Sequence, residues 1–318
     1  MIQDKTLIEN TVKPGYIFIS DIHGNANTLK LIRRVRQDFP NFILVGGGDY
    51  IDGRKDSKLV LDYLMQSQNS VILRGNHEQM LMDFAEGRDE FINDDYGTLE
   101  PLWWVNGGKT TLLSLFHKRA NMHNIRELQC QLLNSKYYAF LKKTQIMYDT
   151  PHIIFVHGGV LPIKDYADPK RYLNVEFSDY DSFRMWARES YWHKPFEIVR
   201  DSETGIPARW DSSEMGYFSR NKTGKTIVTG HTPTALICGA YEDWSVKNKH
   251  CILPRPFTHC DVLSVQYKDE PARIFTDGGC HSRQNKHWGN VVVLDSNGQI
   301  LKIYNYEYKT GIKYEEKA

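Results

Sequence analysis

The 318-residue chain has no run of about 18 apolar residues, so no membrane-spanning helix is expected. Met1 to Val12 mix charged and polar side chains and lack the basic start and apolar stretch of a secretory signal. Cysteine is scarce. Cys130, Cys238, Cys251, Cys260 and Cys280 are odd in number and form no C-x-x-C pair, which argues against a disulfide framework or a cysteine zinc site. The expectation is a reduced, cytoplasmic protein. An excess of one charge is also missing: 40 Lys and Arg face 39 Asp and Glu, so bulk electrostatics do not point to nucleic acid or another polyanion. There is no internal repeat or low-complexity tract. The Gly46-Gly47-Gly48 run lacks the Lys-Ser/Thr of a P-loop and is not a nucleotide cradle.

What the chain does have is a series of short apolar runs separated by helical patterns. Tyr16 to Ser20 reads as a strand ending at Asp21-Ile22-His23. Asn25 or Asn27 can cap a helix with apolar positions Leu29, Ile32, Val35 and Phe39. Phe42 to Val45 is a strand, Lys58 to Met65 a helix, and Val71 to Leu73 a strand that runs into Arg74-Gly75-Asn76-His77-Glu78. This alternation predicts parallel pairing, with the polar residues at the carboxyl ends of the strands, where open α/β sheets bind ligands. Glu86 to Thr144 reads as a helical insertion, its Trp103-Trp104 and Tyr137-Tyr138 serving as ordinary core. Strands resume at Gln145 to Tyr148 and His152 to Val156, followed by a short helix at Ser182 to Glu189 and a polar surface loop at Asp201 to Phe218. Further strands fall at Thr226 to Thr229, Ile274 to Thr276, Asn290 to Leu294 and Ile300 to Tyr304, the last two joined by the hairpin signal Asp295-Ser296-Asn297-Gly298. The length is a soft prior for about two domains. The pattern favours one α/β domain over 1–318: two mixed sheets packed face to face, helices outside, a helical insertion at about 86–144 and a strand-rich half at about 145–310.

Five strand-like runs end in Asp, His or Asn beside glycine: Ser20-Asp21-Ile22-His23-Gly24, Gly48-Asp49-Tyr50-Ile51-Asp52, Gly75-Asn76-His77-Glu78, His157-Gly158-Gly159 and Gly230-His231-Thr232. One such cluster is ordinary turn chemistry. Five in series, each after a strand, are hard to explain as turns. Carboxylate, imidazole and amide oxygen together suit divalent ions such as Mn, Fe, Zn or Mg. A pair of such ions clamps the attacking and leaving oxygens of an in-line displacement at phosphorus.

These motifs resemble the calcineurin-like metallophosphoesterases, in particular the phosphoprotein-phosphatase branch with its phage and bacterial phosphatases and diadenosine tetraphosphate hydrolases. The resemblance extends from residue 20 to about 280 and implies the metallophosphatase-type β-sandwich. It further implies two divalent ions, Mn first among them. Asp21 and His23 would hold one ion, Asn76, His157 and His231 the other, and Asp49 would bridge them. His77 is implied as the general acid oriented by Asp52, acting with a hydroxide held between the ions. Pro233 stands where the wider superfamily often has a second histidine, which again resembles the phosphatase branch. Trp186-Ala187-Arg188 resembles the segment that supplies a phosphate-gripping arginine; a surface ion pair with Glu189 is the plain alternative, and Arg209 is a rival for the role. The first motif begins with Ser20 in place of Gly. The second reads Asp52-Gly53-Arg54, the arginine displaced by one position, so Arg54 is a second candidate for phosphate. Arg74 reads as a structural ion-pair partner, Asp277-Gly278-Gly279 as structural, and His281 as a residue outside the ligand set. The implied substrates are phosphomonoesters such as phosphoserine and phosphothreonine. A dinucleoside polyphosphate or other small phosphoester is the alternative, and a non-catalytic metal-binding scaffold is further behind.

Overall fold

The computed structural model of the protein describes residues 14–94, 96–167, 179–188, 199–200, 207–208, 220–234, 237, 251–252, 262–281, 287–307 and 311–316. The chain begins with β1 (Tyr16–Ile19), α1 (Ala26–Asp38), β2 (Ile43–Gly46), α2 (Ser57–Gln66), β3 (Ser70–Ile72) and α3 (Asn76–Ala85). A hairpin of β4 (Phe91–Asn93) and β5 (Leu99–Pro101) follows, then a π-turn at Trp104–Gly108, α4 (Lys109–Phe116), α5 (Ile125–Leu133) and α6 (Lys136–Leu141). The second half holds β6 (Met147–Asp149), β7 (Ile153–Val156), α7 (Tyr180–Trp186), β8 (Val199–Arg200), β9 (Pro207–Ala208), β10 (Thr226–Thr229) and β11 (Cys251–Ile252). It continues through β12 (Leu263–Tyr267), β13 (Arg273–Phe275), β14 (His287–Leu294), β15 (Ile300–Glu307) and β16 (Gly311–Glu316).

Two six-stranded mixed sheets result, ordered β16-β15-β14-β1-β2-β3 and β11-β12-β13-β10-β7-β6. In the first, the parallel strands β1, β2 and β3 form one half, with β3 at the edge, and antiparallel β14, β15 and β16 the other; in the second, parallel β13, β10 and β7 form the centre with antiparallel strands on both sides. The central strands are buried on both faces, which is why they read as continuous apolar runs and not as alternating ones. Phe18, Val45, Phe155, Val228 and Val292 fill the layer between the sheets. Their neighbours Ile17, Ile19, Leu44 and Val293 face the other way, into the layer under the helices, while Ile154, Val156 and Ile227 line the outer face of the second sheet. The period of two along each strand therefore divides the core into three layers.

Helix α1 starts where expected, the Asn25 side chain accepting from the Asn27 N–H at 3.1 Å, and buries Leu29, Leu31, Ile32 and Val35. The expected helical insertion differs at its beginning, where β4 and β5 form a hairpin. Asp94 and Gly97 close its turn: the Gly97 N–H reaches the Asp94 carbonyl at 3.0 Å, and the Asp94 carboxylate accepts from Tyr96 and Thr98. Of the expected loop at Asp201 to Phe218, residues 207–208 instead form β9, paired with β8; the remainder, Arg209 included, lies outside the described residues. Arg74 differs as well: its guanidinium donates to Gln79 Oε1, Thr144 Oγ1 and the Leu141 carbonyl, so neutral acceptors hold it. Among the described residues no helix is long and apolar enough to cross a membrane.

Candidate metal centre

Every parallel strand of both sheets ends at the same edge of the sandwich. Asp21 and His23 follow β1, Asp49 and Asp52 follow β2, Asn76 and His77 open the helix after β3, His157 follows β7, His231 follows β10, and Asp277 and His281 follow β13. The six candidate ligands are brought together and all are buried. Leaving the strands so abruptly costs backbone strain. Asp21, His23, Asp49, Asp52 and His231 have φ of 54°, 46°, 56°, 69° and 67°, a region that costs a non-glycine residue roughly 1–3 kcal/mol and clusters at functional sites. The backbone compensates by locking the two loops together: Asp21 N–H to Gly48 O at 2.9 Å, His23 N–H to Asp49 O at 3.0 Å, and Gly24 N–H to Tyr50 O at 2.8 Å. Gly75 is required by close approach, since a Cβ there would stand 2.1 Å from Asp49 Oδ1.

Asp49 belongs to two groups of donors. With Asp21 and His23 it forms one, with His157 and His231 another, and in each group one donor atom per residue lies within 4.8 Å of the others. Asn76 Oδ1 stands 3.0 Å from His157 Nε2 and so joins the second group. The histidines are oriented as ligands are. His23 Nδ1 meets the Ile51 carbonyl at 3.1 Å, His157 Nδ1 the Gly47 carbonyl at 2.8 Å, and His231 Nε2 the Trp186 carbonyl at 3.3 Å. With those nitrogens assigned as donors, the other nitrogen of each ring presents a lone pair to the centre. The donor set therefore fits two divalent ions sharing one carboxylate.

The electrostatics agree with a site built around cations. Burial, followed by the Asp49 charge among other neighbours, raises the Asp21 carboxyl to about 6. Burial would also raise Asp49, but His157, His77 and His23 around it outweigh that and hold it well below the usual carboxylate range. Burial lowers His157, yet Asp49, Asp21 and Glu78 overcome it and bring the ring to about 9. His23 and His231 are pushed well below an ordinary imidazole, first by burial and then by neighbouring imidazoles. Protons and imidazolium charge thus offset the carboxylates here, the part that bound cations would take over.

His77 is held differently. Its Nδ1 lies 2.8 Å from Asp52 Oδ2, and its Nε2 is 3.8 Å from Asp49 Oδ2. Burial lowers this ring too, but Asp49 and Asp52 outweigh it and push it up to about 9. Asp52 in turn is fixed from the insertion: Trp103 Nε1 donates to Oδ2 at 2.9 Å, and Thr111 Oγ1 donates to Oδ1 at 2.6 Å while accepting the Asp52 N–H at 2.9 Å. Trp103 does pack as core, against Phe84, but it also reaches the dyad. Glu78 is a second organiser that sequence reasoning missed. Its carboxylate accepts the N–H groups of Asp49, Tyr50 and Gly75 at 2.8, 2.8 and 3.0 Å and so ties the second and third motifs together.

The two arginine candidates lie at the rim. Helix α7 ends at Trp186, and the chain turns extended at Ala187, which takes Arg188 off the helix surface. Its guanidinium reaches Thr232 Oγ1 at 3.1 Å and the His231 carbonyl at 3.4 Å, beside the last ligand motif. Arg54 donates from Nε to the Cys280 carbonyl at 3.3 Å. His281 is exposed, with its ring 4.7 Å from that of His23.

A profile of the calcineurin-like phosphoesterases matches residues 16–248. The chain belongs to that family and is a metal-dependent phosphoester hydrolase. Similar solved structures include one described as a putative diadenosine tetraphosphatase, at 16% identity over 97% of this chain and 96% of that one, with a TM-score of 0.43. A metallophosphoesterase from Sphaerobacter thermophilus matches at 12% identity over 92% and 88%, TM-score 0.45. A serine/threonine phosphatase from Saccharomyces cerevisiae matches at 14% identity over 98% and 82%, TM-score 0.42. Likeness at this level carries nothing about substrate. Among curated protein sequences, none matches this chain.

Proposed function

We propose that the chain, as one domain of the phosphoprotein-phosphatase branch, hydrolyses phosphomonoesters, phosphoserine and phosphothreonine first among them. Asp21 and His23 would hold one divalent ion, Asn76, His157 and His231 the other, with Asp49 shared between them and Mn the preferred metal. The observation that carries this reading is the double membership of Asp49 in two donor groups, with the His77–Asp52 dyad opening onto the same carboxylate. The bound pair of ions supplies water activated near neutral pH and neutralises charge on the phosphoryl group. The chain's own part is positional. Asp52 holds the His77 proton on Nδ1 and turns Nε2 toward the centre, where it can protonate the leaving oxygen. Trp103 and Thr111 keep Asp52 from rotating. Arg188, steadied by Thr232, offers its planar fork to the phosphate oxygens, with Arg54 as its partner. The scarcity of cysteine favours a reducing compartment, the cytoplasm.

The test is phosphate release from p-nitrophenyl phosphate, a phosphothreonine peptide, diadenosine tetraphosphate and a diester, with Mn, Mg, Zn, Fe or chelator. Metal-dependent release from the two monoesters is expected. Cleavage of diadenosine tetraphosphate with the monoesters untouched moves the substrate to dinucleoside polyphosphates. Silence on the whole panel from metal-loaded protein overturns the reading.

Two sets of variants probe the supporting residues. Trp103→Phe keeps the aromatic contact and removes one hydrogen bond to a charged carboxylate, an interaction worth roughly 1.5–3 kcal/mol. The expected result is a fall in kcat of about tenfold or more with KM nearly unchanged; a wild-type kcat would reduce Trp103 to packing. Arg188→Ala and Arg54→Ala are each expected to raise KM, about tenfold for each 1.4 kcal/mol by which phosphate binding weakens. Unchanged KM and kcat in Arg54→Ala would leave that residue only as the pin of the Cys280 segment.

A further inference from the structure

Three imidazoles meet on the open side of the centre. The ring centroids of His23 and His77 are 4.8 Å apart, and His281 lies 4.7 Å from the first and 5.5 Å from the second. One donor atom from each falls within 4.8 Å of the other two. The outer nitrogens of two of the rings are engaged, His23 Nδ1 with the Ile51 carbonyl and His77 Nδ1 with Asp52, so each turns its other nitrogen toward the centre. His23 is thus turned as a ligand is, and a carboxylate behind an imidazole, as Asp52 stands behind His77, is a common support for a ligating ring. Gly53 makes room for the trio. A Cβ at that position would come within 3.3 Å of His281 Cδ2 and 3.5 Å of His23 Cβ, at a φ of +72°.

The trio differs chemically from the centre beneath it. Asp21, Asp49 and Asn76 give the paired positions oxygen ligands, which suit Mn, Mg and Fe. A set made only of imidazoles favours zinc, copper or nickel over manganese or magnesium. We propose that His23, His77 and His281 form a separate, inhibitory position for a borderline-soft divalent ion such as zinc. An ion held there draws His23 away from the group it shares with Asp21 and Asp49 and occupies the nitrogen of His77 that faces the substrate. The identity of the metal thus selects its location: oxygen-preferring ions fill the paired centre, and zinc in excess closes it. The binding part of this inference stands on geometry alone. The inhibition part rests on the reading of His77 as the acid.

The experiment uses cobalt(II) as a visible probe and zinc as the inhibitor. His281 is exposed, so its substitution leaves the core intact. His281→Cys, titrated with cobalt, is expected to develop a thiolate-to-cobalt charge-transfer band that the wild type lacks. In a separate zinc titration of the manganese-supported reaction, each protein is normalised to its own rate without zinc. His281→Ala is expected to need about tenfold more zinc for half-inhibition, the size of effect that removing one metal-supporting side chain produces. Absence of the band, or an unchanged zinc titration, overturns the proposal. If the wild type turns over none of the phosphoesters, the cobalt band alone decides: its appearance keeps the imidazole position while the functional reading falls.

Discussion

Asp49→Asn is expected to fold, to lose at least one of its two divalent ions, and to release phosphate on the order of 10²–10³-fold more slowly than wild type, or worse. The magnitude follows from how much converges on one carboxylate. Oδ1 lies 3.3 Å from His157 Nε2 and accepts the His77 N–H at 3.1 Å, while Oδ2 lies 3.7 Å from His23 Nε2. Each oxygen therefore faces a different donor group. Asparagine preserves the shape, but it replaces one acceptor with an amide donor and removes the charge that two cations would share. The backbone frame survives, because Glu78 holds the Asp49 N–H independently of the side chain. Metal content per chain and melting temperature with and without manganese separate the two effects. Wild type should gain stability from the metal by mass action, and the variant should lose most of that gain. A variant with full metal content and wild-type turnover would remove Asp49 from the bridge.

Much of this centre was legible because its strands are short, apolar on both faces and stopped by glycine-flanked polar residues. The run Tyr-Ile-Phe-Ile before Ser20-Asp21 and the run Ile-Ile-Phe-Val before His157 carry the same signal, and they fall in different sheets at equivalent places. The pairing that joins the halves was not legible: β14 lies against β1 across most of the chain, and no local pattern encodes such a partner. Trp103 and Thr111 illustrate a second limit. They reach Asp52 across 51 and 59 positions of sequence, and a tryptophan in a helix-rich segment reads as core whether or not its N–H has a partner. The β4–β5 hairpin was hidden for a different reason. Its Asp94 and Gly97 are ordinary turn residues, but the helix formers on either side dominated the pattern. His281 sat in view after Asp277-Gly278-Gly279, yet a strand end says where a side chain starts and not which rings it will meet.

The dyad gives the other large effect. His77→Ala is expected to lower kcat on a phosphothreonine peptide by roughly 10²–10⁴-fold, the range for removal of a positioned general acid. The same variant should lose far less on p-nitrophenyl phosphate, whose leaving group departs as a stable anion and needs little protonation. This asymmetry separates an acid from a ligand. If His77 held a metal, both substrates would suffer alike and metal content would fall. The geometry fits the acid: Asp52 Oδ2 takes Nδ1 at 2.8 Å and leaves Nε2 facing the centre, 3.8 Å from Asp49 Oδ2. A carboxylate partner holds the proton on the ring and favours its charged form, which suits proton donation. The backbone N–H of residue 77 still reaches Asp49 in the variant, so that carboxylate keeps this contact. Asp52→Asn should show the same leaving-group dependence, because it weakens the orientation of the same imidazole. Equal losses on both substrates, or chelator-like loss of metal from His77→Ala, would place His77 among the ligands instead and leave the leaving oxygen to take its proton from solvent.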